Sequence, residues 1–384
     1  MTLISRRRFI EAACWAGVSS AIMPKVSYAG VPGDKRLVFV LLRGAMDGLH
    51  AFVPVGDPWY LRSRRSMAFN PADLAVLDDF FALGPGLSAL LPSYQAGELL
   101  VVHGLAIPYR TRSHFDAQSI LETGLDRPIG KASGWLNRSL LALGGQKGMG
   151  LALGHGRPKS MAGEASVSTW SPGEDLGGDR EFHGLLAQLY LRDSSLADSY
   201  TAAQNLRATA RNKTRSRLRG RRADYVNLFQ SMAGFLSAPE GPRIAAMEFS
   251  GWDTHVDQGL AGGPLDLRLA DLAAGLVAFK DDLPSDVWRD TVVVVATEFG
   301  RTVAANGNGG TDHGTSGAMM LFGGGVKGGR VLSDWPGLAP GQLYEDRDLR
   351  PTLDTRQILK GVLAAQFDIS PSVLNRQVFP DSQG

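Results

Sequence analysis

Cysteine is nearly absent: Cys14 is the single one in 384 residues. It sits in an N-terminal segment with the marks of a removable leader, so no disulfide, thiolate nucleophile or thiolate-ligated cluster is expected in the working protein. Long apolar runs are missing too. The stretch ending at Met23 is shorter than the about 20 residues that a membrane span needs, and no later segment qualifies. Charge of neither sign dominates, with 40 Lys and Arg against 38 Asp and Glu. That balance offers no footing for nucleic acid. There is no internal repeat and no Gly-x-Ser-x-Gly elbow of a serine esterase, Gly314-Thr315-Ser316-Gly317 being too short by a residue.

The leader itself is informative. Ser5-Arg6-Arg7-Arg8-Phe9-Ile10 carries a twin-arginine pair, and Ser27-Tyr28-Ala29 offers small residues for cleavage. Residues 1–29 therefore read as a twin-arginine export signal, with the export machinery as a first partner and the periplasm as destination. Glu11 stands where a lipoprotein signal would need an aliphatic residue before Cys14, so no lipid anchor and no membrane span are expected in the mature chain. Arg6, Arg7, Arg8 and Lys25 outweigh Glu11 by three, so the formal +2 of the precursor becomes −1 after cleavage. Residues 30–384 are long enough for one large domain.

Strand-like runs occur at Leu37–Leu42, Leu99–His103, Ile244–Phe249, Thr291–Thr297 and Ala318–Phe322. Helical patterns lie between them at Ser113–Glu122, Trp135–Leu143, Leu196–Leu236, Leu265–Leu283 and Thr355–Ala365, the last capped by Asp354. Continuous apolar strands such as Val292-Val293-Val294-Val295 suit a parallel sheet buried on both faces. The alternation predicts an α/β three-layer sandwich with a mostly parallel central sheet and a helical insertion at about residues 185–240. That insertion holds eight Arg or Lys between Arg207 and Arg222, either a solvated face or an electrostatic collar for anions. Gly323–Gly329 lacks the ending of a phosphate loop and reads as a turn.

Four polar clusters follow apolar runs: Arg43–Asp47, Gly251–His255, Glu298–Thr302 and Gly310–Gly314. Strand ends are where ligands bind in open α/β sheets. Asp47, Asp253, His255, Glu298 and His313 supply the donor types of a divalent-metal site, zinc first and Mg, Mn or Ca next. Asp253 and His255, two apart, share one side of an extended segment. Ser113 opens a helix beside Arg112. It is either a helix cap, with Asp116 three residues on, or a hydroxyl nucleophile. Arg112 and Arg301 are candidate forks for a tetrahedral anion or ordinary ion-pair partners. His50, His103, His155 and His183 lack such company.

The Arg-Gly-x-x-Asp-Gly turn at 43–48, the Arg-Ser-His-Phe-Asp run at 112–116, Gly251–His255, Glu298–Thr302 with Asn306, and Gly310–Gly314 together resemble a family of twin-arginine-exported bacterial proteins in the alkaline phosphatase and sulfatase superfamily. The resemblance implies that fold, a metal-dependent hydrolase of phosphate or sulfate esters, Ser113 as nucleophile, and metal positions at Asp47, Asp253, His255, Glu298 and His313. Two departures stand out. The middle Asp and His are one residue apart instead of three, and Phe299 follows Glu298 where that superfamily has a metal-binding imidazole. Asp253, His255 and His313 then form one metal position, while Asp47 and Glu298 form an oxygen-only second one. The contrasting expectation is a non-catalytic periplasmic binding or scaffolding protein with a protein partner in place of an anionic ester substrate.

Overall fold

The computed structural model of the protein describes residues 34–154, 156–171 and 220–382. The leader, His155, His183 and the arginine-rich stretch up to residue 219 lie outside the described residues.

Nine strands make the central sheet: β1 Arg36–Arg43, β2 Leu99–Ala106, β3 Gly150–Leu153, β4 Val167–Trp170, β5 Ile244–Ser250, β6 Thr291–Thr297, β7 Gly317–Phe322, β8 Arg330–Leu332 and β9 Leu353–Asp354. Their spatial order is β8-β2-β7-β6-β1-β5-β3-β4, with β9 also pairing β2. β7 alone runs against its neighbours β2 and β6; the other pairings are parallel. This is a mixed α/β fold with a mostly parallel sheet.

Alternation sorts each strand's side chains to two faces. Val38, Val40 and Leu42 of β1 join one core, and Leu37, Phe39 and Leu41 the other. The first core is covered by the helices Arg221–Leu236 and Pro264–Asp282, through residues such as Phe229, Met232, Leu269, Leu272 and Leu276. The second is covered by His114–Thr123, Trp135–Ala142 and Thr355–Phe367, through Ile120, Trp135, Leu140 and Leu363. Asp354 caps the last of these by accepting from Arg356 N. A smaller core, with Tyr60, Phe69, Val303, Leu338 and Leu349, lies apart from the sheet. Among the described residues no helix is long and apolar enough to cross a membrane.

Candidate metal centre

β1, β2, β5 and β6 point the same way, so their carboxyl ends share one edge of the sheet. The loops leaving that edge carry the candidate residues. The segment joining β6 to β7 needs no crossover helix, because antiparallel neighbours can be linked directly. It returns to the same edge and pairs with itself. Arg301 bridges His313, Thr302 N donates to Asp312 O at 2.9 Å, and Gly314 N donates to Gly300 O at 2.8 Å. A Cβ on Gly300 would lie 1.8 Å from Ser316 O, so only glycine lets the two limbs close. Gly44 plays a similar part at the end of β1. Its φ is 124°, a Cβ there would be 2.4 Å from Asp253 N, and its N–H donates to Glu298 Oε1 at 2.9 Å.

Four side chains meet where these loops converge. His313 Nε2 is 2.9 Å from both His114 Nε2 and His255 Nε2. Asp253 Oδ1 lies 3.1 Å from His255 Nε2 and 3.3 Å from His313 Nε2, and its Oδ2 lies 3.4 Å from His114 Nε2. Donor atoms of His114, Asp253 and His313 all fall within 4.8 Å of one another.

Each ring is fixed from behind. His114 Nδ1 reaches Glu298 Oε1 at 2.7 Å, His255 Nδ1 reaches Asp312 Oδ1 at 3.1 Å, and His313 Nδ1 reaches the Arg112 carbonyl at 3.0 Å. All three outer partners are acceptors, so every Nδ1 must carry the proton and donate. That leaves the Nε2 lone pairs of His114 and His255 each turned towards His313 Nε2 and the Asp253 carboxylate. Lone pairs 2.9 Å apart repel unless a cation lies among them, and acceptor-backed imidazoles are the usual support of metal ligands. The donor set therefore fits a divalent metal.

Surrounding charges agree. The bond to Glu298 raises the His114 pKa above its ordinary value against the effect of burial. Burial would raise Glu298, but bonds from His114, Gln118 and the Gly44 N–H hold it below the usual carboxylate range. Burial likewise pushes Asp253 up, and Arg301 overcomes this and holds it low. Burial lowers His313, helped by the nearby His114. The Phe299 ring stacks on His114, with centroids 4.9 Å apart, and so braces that imidazole from one side.

Several expected residues are placed behind the cluster instead of in it. The buried Asp47 carboxylate accepts from Arg64 through two bonds (2.8 and 2.5 Å), from Gln258 Nε2 at 2.8 Å and from Leu49 N at 3.1 Å. It caps the short helix Gly48–Ala51 and neutralises a buried guanidinium, which leaves it no role as a ligand. Glu298 orients His114, so the oxygen-only second position expected from Asp47 and Glu298 is not formed. Arg301 does not offer a free fork: its side chain is buried, and it holds Asp253 Oδ1 at 2.6 Å and the hydroxyl and carbonyl of Thr311. Arg112 is engaged by Asp348 at 2.8 Å and Glu345 at 2.5 Å, and its backbone has the rarely adopted φ of 62° while presenting the carbonyl to His313. Ser113 precedes the helix His114–Thr123 but makes no capping bond through its side chain. Asp116 bonds Tyr109 instead, so no capping box forms.

His114 and Asp312 are the residues that sequence reasoning overlooked. His114 lies within the 112–116 run, but a serine at a helix start drew the chemistry to its neighbour. A usable signal was the count of imidazoles: a nitrogen-rich site needs more than the two supplied by His255 and His313.

A cleft of about 1000 Å³ adjoins the cluster along His255 and His313. Its lining also includes Trp59, Arg62, Arg65, Arg112, Asn306 and Arg347.

Residues 105–378 match the family described as "Protein of unknown function (DUF1501)", a stretch containing His114, Asp253, His255, Glu298 and His313. No curated protein matches the chain. Similar solved structures include a protein in the alkaline phosphatase superfamily from Vibrio parahaemolyticus, at 12% identity and TM-score 0.37, over 81% of this chain and 64% of that one. Ps i-CgsB is similar at 13% identity and TM-score 0.36, over 78% of this chain and 68% of its own. The PsFucS1 sulfatase from Pseudoalteromonas sp. is similar at 13% identity and TM-score 0.33, over 85% and 68%. The chain thus spans less than two thirds of the length of the first of these.

Proposed function

The chain belongs to the DUF1501 family, and we propose that it is an exported metal-dependent hydrolase of phosphate or sulfate esters. One observation carries this reading: donor atoms of His114, Asp253 and His313 lie within 4.8 Å of one another, His255 Nε2 joins them beside His313 and Asp253, and every Nδ1 is spent on an acceptor behind it. His114, His255, His313 and Asp253 would hold the ion. Three nitrogens and an oxygen suit zinc first, since Mg and Ca prefer all-oxygen shells. When bound, such an ion acts as a Lewis acid on an ester oxygen.

The chain's own residues do the rest. Glu298, Asp312 and the Arg112 carbonyl fix the rings, and Arg301 fixes Asp253. Ser113 supplies the attacking hydroxyl: it directly precedes His114, and no cap bond consumes it. The motifs' resemblance to the alkaline phosphatase and sulfatase superfamily supports the ester class, and the Arg6–Arg7 pair supports delivery to the periplasm. Replacing both arginines by Lys should hold the precursor in the cytoplasm, and unchanged export would overturn that assignment.

The non-catalytic reading has one observation in its favour: Arg112 and Arg301 are both neutralised by carboxylates. Metal analysis with a panel of phosphate and sulfate mono- and diesters decides between them. We expect retained zinc and turnover in the wild type, loss of both in His313→Ala, and loss of turnover with metal kept in Ser113→Ala. Metal without turnover on any ester would establish the binding or scaffolding role. A wild type that retains no metal would overturn the metal centre itself.

A further inference from the structure

Among the arginines lining the cleft, two are already engaged. Arg112 is held by Asp348 and Glu345, and Arg347 by Asp348 and the His313 carbonyl. Arg62 and Arg65 are exposed and stand apart. The Arg62 guanidinium lies over the Trp59 ring at 5.2 Å from its centroid. The Arg65 guanidinium has no hydrogen bond or ion pair among the described residues. Each therefore keeps unfilled donors.

Their mounting is rigid. Arg64, between them, makes the buried pair with Asp47 and so anchors the short helix Tyr60–Arg64 to the start of the helix Gly48–Ala51. Arg65 then takes a φ of 49°, a conformation that persists only when its surroundings impose it. Asp57 ties this wall to the neighbouring one, accepting from Trp59 N at 2.8 Å, Trp335 Nε1 at 2.8 Å and Leu338 N at 3.0 Å. Of the carboxylates lining the cleft, Asp312 is occupied by His255 and Asn306, and Asp346 is the other.

We propose that Arg62 and Arg65 form a second anion subsite, so that this protein takes polyanionic esters, with one anionic group at the ligand cluster and another on these two guanidiniums. That the anions taken are esters rests on the proposed hydrolase reading; the subsite rests on the cleft wall alone. Planar guanidinium forks match the oxygens of sulfate and phosphate groups. A cleft of about 1000 Å³ lies at the upper end of small-molecule sites and has room for both groups.

Calorimetric titration with sucrose octasulfate and with methanesulfonate, near physiological ionic strength, tests the subsite without any turnover. Arg62→Gln with Arg65→Gln should weaken octasulfate binding about tenfold and leave methanesulfonate unchanged. Arg62→Glu alone, at an exposed position away from the strained backbone, should weaken it as well and guards against a folding effect. Arg330→Gln, on the exposed strand β8 and not part of the cleft lining, should leave it unaltered. Octasulfate affinity within about twofold of wild type in both cleft variants would overturn the subsite, as would an equal loss of methanesulfonate. A wild type that retains no metal, yet loses octasulfate affinity in the double variant, would sink the hydrolase reading and support the subsite.

Discussion

Glu298 and Asp47 are both buried carboxylates at strand ends, and their partners give them opposite consequences. Glu298 accepts from His114 Nδ1, so it acts on the cluster through a ring. Asp47 accepts from Arg64 and Gln258, so it acts on folding. Glu298→Gln should lower metal affinity about 10–100-fold, the usual effect of losing an outer-shell partner. Asp47→Asn should leave affinity intact while costing about 3–5 kcal/mol of stability, because Arg64 is left buried without its charge partner. Zinc titration and urea unfolding of the two variants separate these outcomes, and weakened zinc in Asp47→Asn would restore it as a ligand. The sequence displayed both residues as equals. A linear chain shows which carboxylates follow strands but not which guanidinium packs against them.

The connection between β6 and β7 is the element that assembles the site. Residues 298–316 leave and re-enter the same edge because β7 is antiparallel, which keeps Glu298, Arg301, Asp312 and His313 together. Gly300→Ala puts a methyl into the Ser316 carbonyl. We expect a loss of about 1–3 kcal/mol or more from overpacking, with weaker zinc binding as the limbs part. Unfolding midpoints with and without zinc measure both, and a variant as stable and as zinc-competent as wild type would show that the turn has slack. The long strands and helices were legible from their apolar periods. Gly150–Leu153, Val167–Trp170 and Arg330–Leu332 were not, since three or four residues carry too little pattern to separate a strand from a loop. Nor did Ala318–Phe322 reveal its direction, because alternation reads the same both ways along a chain.

Taken whole, the molecule should weaken in mild acid through two buried histidines that do not line the cleft. Burial lowers His50 and His103 to pKa values of about 4. Unfolded histidine titrates near 6.5, so the unfolded chain binds protons first and stability falls as pH drops from about 6.5 to 4. Each contributes up to roughly 3 kcal/mol over that window. Asp47 behaves differently: burial pushes it up, Arg64 outweighs this, and its pKa is about 2. Its stabilisation is present above about 3.9 and is lost only as pH falls towards 2. Urea unfolding should therefore show a loss between pH 7 and 5 that His103→Gln reduces, and a flat profile there would contradict the burial of neutral imidazoles. By itself the sequence determined the α/β layering, the parallel core strands and the strand-end loops that bear Asp253, His255 and His313, because periodicity and donor chemistry are local properties. Only the tertiary structure decided that His114 joins them, that Asp47, Glu298 and Arg301 stand behind, and that Arg62 and Arg65 share the cleft. Those roles depend on which atoms face each other across residues far apart in the chain, and sequence spacing does not encode that distance.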